Sequence, residues 1–190
     1  MTLFANMMTK ARSALNGFAR KADGGVNIEA VLFLPLLIIA TVGSLVFYDA
    51  FRKNSLGDKA TFTVGDMLSR ETDYITPTYI DSTKALFSFL TGTEATENTL
   101  RVTVVQYDLE TDSYSVVWSE SRGTHVSPLT DADMSNAHNE FPVMVDAEQV
   151  IVVDTFIDYS VPSSAIQGRV FDARVFTRPR FAPQLVWSGI

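Results

Sequence analysis

Three features of the 190-residue sequence predict an α+β fold. Nineteen uncharged residues, Ala30 to Tyr48, form one unbroken apolar run; apolar residues at helical spacing continue beyond it; and from Leu100 the period changes to the alternation of strands. The expected architecture is a long N-terminal transmembrane helix that continues as a spine and packs against an antiparallel sheet.

The apolar run comes first. As a helix it is about 28 Å long at 1.5 Å per residue, close to the roughly 30 Å hydrocarbon core of a bilayer. A cleavable signal peptide would need a shorter core of about 7 to 15 residues followed by a small-x-small site. The residues that follow, Phe47-Tyr48-Asp49-Ala50-Phe51-Arg52, are bulky or charged instead. Lys10, Arg12, Arg20 and Lys21 precede the run, against Arg52, Lys53 and Lys59 soon after it, which favours a cytoplasmic amino terminus. Pro35 removes a hydrogen bond to the carbonyl of Val31 and crowds that turn, so a kink or local unwinding is expected there. Gly43 and Ser44 would let another backbone come near, although small residues are also ordinary in membrane helices.

Past Tyr48, the residues Phe51, Leu56, Ala60, Val64 and Met67-Leu68 recur mostly every four positions, which extends the helix over residues 49–72. Thr76-Pro77 breaks that pattern, and Tyr79 to Leu90 reads as a second helix ending at Gly92. Leu100 to Tyr107 and Ser113 to Ser119 alternate as strands around the polar turn Glu110-Thr111-Asp112 and should form a hairpin. Val150 to Tyr159 and Arg169 to Thr177 make a second pair around Pro162-Ser163-Ser164. The chain thus divides into a basic leader (1–24), a membrane helix (25–48), a helical extension (49–72) and an extracytoplasmic α+β domain (73–190).

Composition limits what lies beyond the membrane. About 140 residues make one modest domain with its own core. There is no cysteine, so packing and not disulfides must stabilise it. Residues 1–24 carry four Lys/Arg and one Asp, so of the total charge of −7 the remainder carries −10. Such a domain repels phosphate polymers, and no basic cluster with interleaved aromatics is present, so nucleic acid is excluded as a partner.

The mouth of the apolar run carries the sharpest pattern: Gly24-Gly25-Val26-Asn27-Ile28-Glu29, a glycine followed by four residues and then a glutamate. With the leader Phe18-Ala19-Arg20-Lys21-Ala22-Asp23-Gly24 and the anchor Leu32-Phe33-Leu34-Pro35-Leu36-Leu37-Ile38-Ile39, it resembles type IV pilin-like proteins. Within them the resemblance is to the TadE-like minor pseudopilins of the tight-adherence (Tad, Flp) pilus machinery. Similar stretches recur at Lys59 to Glu71, Val150 to Tyr159 and Arg178 to Trp187. Many TadE-like sequences place an aromatic after the glutamate, where this chain has Ala30. The resemblance implies a pilin-like fold in which a membrane-embedded prepilin peptidase removes the leader. Gly24 would precede the cut, with cleavage after Gly25 as the alternative, and Glu29 would guide subunit docking. It also implies other pilins or pseudopilins, the inner-membrane assembly platform and membrane lipid as partners. The same resemblance implies a place in the bacterial inner membrane, with the C-terminal domain periplasmic or in the assembled pilus. Physical sense supports each part. Glycine lets an extended substrate approach a protease closely. A carboxylate buried near the apolar region costs about 2 to 3 kcal/mol, and the freed Gly25 amine, of pKa about 8, would supply a positive partner. A flexible joint followed by an acidic span end is the bland alternative. Related TadG-like proteins can carry a von Willebrand-type metal domain, but Asp133-Met134-Ser135-Asn136-Ala137 lacks the last hydroxyl of its Asp-x-Ser-x-Ser site.

Residues suited to catalysis are few. His125 and His138 are the only imidazoles, and neither has a recognisable nucleophile or ligand motif beside it. Asp131, Asp133, Asn136, His138 and Glu140 form the most ligand-rich stretch, but it lacks the glycine and glutamate of a calcium loop, so a solvated loop and no metal or cofactor is expected. Arg178 and Arg180 read as strand-end charges or partner contacts. A non-enzymatic assembly subunit is therefore expected; the alternative is an unprocessed single-pass envelope enzyme or sensor with a ligand-binding ectodomain.

Overall fold

A computed structural model describes residues 25–135, 140–161 and 168–189, with side chains from Ile28 onward. The fold is α+β, with helices α1 (Gly25–Ser69), α2 (Pro77–Thr91) and α3 (Asp131–Met134), and strands β1 (Asn98–Asp108), β2 (Ser113–Arg122), β3 (Gln149–Tyr159) and β4 (Arg169–Thr177). The described residues fall into two units, one ending at Tyr48 and one beginning at Asp49.

In the second unit the strands make one antiparallel sheet in the order β2-β1-β3-β4. Both expected hairpins form. The β3–β4 turn at Pro162-Ser163-Ser164 lies outside the described residues. Val104 pairs with Trp118 but Val105 with Val116, so Val117 is an extra residue that bulges β2. On one face of the sheet, Leu100, Val102, Val104, Ile151, Val153 and Ile157 meet Ala60, Val64 and Leu68 of α1 and Ile80 and Phe87 of α2. The opposite face carries Val105, Tyr107, Tyr114, Val150 and Val152, which Met134, Phe141 and Met144 of the β2–β3 connection cover.

Local chemistry explains the helix ends. Ser69 closes α1 three residues short of the expected 72: Arg70 and Glu71 donate to the carbonyls of Met67 and Leu68, three residues back, and the Arg180 amide takes the Ser69 carbonyl at 2.7 Å. The Thr76 hydroxyl accepts the Tyr79 amide to start α2, with Pro77 as its first residue. Gly92 ends it at φ 64, the left-handed region in which a Cβ is unwelcome.

Glycine also sets how close α1 lies to the sheet. A Cβ on Gly57 would stand 2.9 Å from Ile157 Cδ1, and one on Gly65 would stand 3.4 Å from Val175 Cγ1. Between them the buried Thr61 and Thr155 hydroxyls share a 2.6 Å hydrogen bond.

Residues 178–189 run back across the domain. Ile75 forms a parallel bridge with Trp187, donating to the Val186 carbonyl and accepting from Ser188, both at 2.8 Å. Leu185 is 2% exposed within the main core, its carbonyl takes the Trp118 Nε1 proton at 2.8 Å, and Trp187 stacks on Trp118 at 5.4 Å.

Candidate functional site

The candidate site is the start of α1. Gly24 lies outside the described residues, whereas Gly25 is the first residue of the helix. Glu29 follows one turn later and is exposed. From Ile28 to Tyr48 the large apolar side chains are between 53% and 75% exposed, except for the half-buried Val46. The helix is long and apolar enough to cross a membrane. At 45 residues it has more than twice the about 20 residues that a bilayer's hydrocarbon needs.

The side-chain hydroxyls of Thr41 and Ser44 within the apolar stretch are satisfied inside the helix, as lipid would demand. The Thr41 and Ser44 hydroxyls donate to the carbonyls of Leu37 and Ala40, each at 2.8 Å. Pro35 lies inside the helix and brings no amide to the Val31 carbonyl. Gly43 has open space where a Cβ would stand.

The sites of possible chemistry elsewhere are tied into the scaffold. His125 Nε2 lies 3.0 Å from Asp158 Oδ2 on the surface. His138 and Asn136 fall outside the described residues. Asp131, Asp133 and Glu140 are exposed to solvent, and each carboxylate is also used locally. Asp131 accepts the Val116 amide of β2 at 2.7 Å, and Asp133 accepts the Thr130 amide and hydroxyl, which hold its carboxyl below the usual range. Glu140 pairs with Arg174 at 2.8 Å. Among the described residues no group of three His, Cys, Asp or Glu side chains could hold a metal ion. Arg178 pairs with Glu148 at 2.8 Å and Arg180 with Asp66 at 3.4 Å, so both contact their own domain.

Sequence reasoning missed an ionic row across the sheet. Arg101, Asp154 and Arg174 stand directly opposite one another on β1, β3 and β4. Asp154 is 2% exposed; its Oδ2 accepts from Arg101 Nε and Nη2 at 2.9 and 2.7 Å, and its Oδ1 accepts from Arg174 Nε at 2.6 Å. Arg101 also donates to the Ser127 carbonyl and Arg174 to Glu140, so one buried carboxylate anchors both ends of the β2–β3 connection. Arg101 sits on the strand face that alternation marks as polar, and only the pairing of β1 with β3 brings Asp154 beside it.

Comparison with protein-family models, with curated proteins and with solved structures finds no match for this chain.

Proposed function

We propose that this protein is a minor pseudopilin or assembly subunit of a Tad-type pilus, held in the bacterial inner membrane by α1 and processed by a prepilin peptidase. One observation carries the reading: the helix begins at Gly25, presents Glu29 one turn later and then an exposed apolar band of bilayer length. The likeness of residues 18–48 to TadE-like sequences and the α+β fold support it. Cleavage after Gly24 would leave a charged amine at the head of the helix, four residues from the Glu29 carboxylate of the same or a neighbouring subunit. That ion pair would offset the expense of an acid at the edge of lipid and set the depth at which subunits dock. The domain would then stand on the periplasmic side, with other pseudopilins and the assembly platform as partners.

The test is the amino terminus of protein purified from membranes with and without the peptidase. The expected product begins at Gly25, and Gly24→Ile leaves the chain uncut. A product beginning at Val26 moves the cut by one residue. A chain intact from Met1 in its native membrane, with an ectodomain that turns over a substrate, establishes the unprocessed enzyme instead.

A further inference from the structure

The segment 178–188 has three separate attachments, each to a different part of the domain. Its Arg180 amide closes the last turn of α1, its Val186 and Ser188 backbone brackets Ile75 between α1 and α2, and its Leu185 and Trp187 side chains complete the core beside Trp118 of β2. Without it, the Ser69 carbonyl, the buried Ile75 backbone and the Trp118 indole N–H would all lose their partners at once. The four strands are complete at Thr177, yet the core they share with α1 and α2 is not.

We infer that residues 178–188 are a closing clasp: the unit Asp49–Ile190 stays open while the chain is being made and closes in one step when Leu185 and Trp187 arrive. The consequence for transport rests on the proposed function. A domain that follows an N-terminal anchor across a membrane must pass through unfolded, and a clasp that comes after the last strand of the domain keeps it so until nearly all of the domain has crossed.

The test uses the whole chain, stalled on the ribosome by C-terminal extensions of increasing length with nanodiscs present to receive α1, and reads protease resistance of the domain. Resistance is expected to appear in a single step, and only once the extension frees residue 187. Leu185→Asp should remove it at every length. In the released chain, Leu185→Ala should lower the folded-to-unfolded ratio about thirtyfold or more. Resistance that already appears when Thr177 is free and residues 178–188 are still enclosed overturns the inference, as does a Leu185→Asp chain that folds normally. Neither result depends on whether the leader is cut, so failure here and failure of the pilus reading are told apart.

Discussion

Asp154 offers the most demanding test of the domain's architecture. Replacing it with alanine removes the acceptor for three charge-assisted hydrogen bonds and leaves Arg101, 7% exposed, as a buried cation beside Arg174. Breaking a buried ion pair from one side costs about 3–5 kcal/mol. The Arg174 side chain is 35% exposed and keeps Glu140, so its share is small and the total should stay within that range. Against a domain stability of about 5–15 kcal/mol this is a large fraction. With an m-value of about 2 kcal/mol/M, the urea midpoint should fall by about 1.5–2.5 M, followed by Trp118 and Trp187 fluorescence in the detergent-solubilised chain. Protease should cut first between Gly123 and Glu148, the connection that the two arginines hold. Arg101→Met with Asp154→Leu, an apolar pair of similar volume, should recover most of the loss. A midpoint shift under about 0.5 M for Asp154→Ala refutes the view that this row fastens the connection, and a double variant no better than the single one refutes the buried cation as the source of the loss.

Three further outcomes are expected. Thr61→Val leaves the buried Thr155 hydroxyl without its 2.6 Å partner and should cost about 1–3 kcal/mol in urea unfolding, while Thr61→Val with Thr155→Val should cost less than the single change. Gly57→Leu drives a side chain into Ile157 and should destabilise by about 1–3 kcal/mol, with a lower thermal midpoint as the readout. Tyr107 donates to Asp112 at 2.6 Å, and that hydrogen bond, helped by burial and the nearby carboxylate charges, pushes its pKa up to about 12. Because the folded state holds the proton more tightly than the unfolded state, whose value is near 10, the stabilisation is complete below pH 10 and is lost as pH rises towards 12. Ultraviolet difference titration should show Tyr107 ionising earlier in Asp112→Asn; an unchanged titration would count against the hydrogen bond as the cause.

Much of the fold was legible because local rules coincided with tertiary ones. The Thr76-Pro77 start and Gly92 stop bounded α2 to within two residues, since a cap and a left-handed glycine act over a single turn. Alternation located all four strands, but it reports which face a residue takes and not which strand lies beside it, so the β1–β3 pairing stayed hidden. The cover over the far face was invisible for the same reason. Met134, Phe141 and Met144 are scattered through a polar, aperiodic stretch, and each becomes core only against Tyr107 and Tyr114. Of the candidate site, Gly25, Glu29 and Pro35 fall on one helix as the apolar run required, because a bilayer-length run leaves little choice of structure.

The bond from the Val116 amide to Asp131 gives β2 a further property. A bare sheet margin is a template on which any passing strand can lengthen the ladder. Here a carboxylate from the next connection occupies that margin, and the bulge at Val117 twists it out of line. This stopper turns away accidental cross-chain growth on that flank, so a meeting of two copies there need not become aggregation.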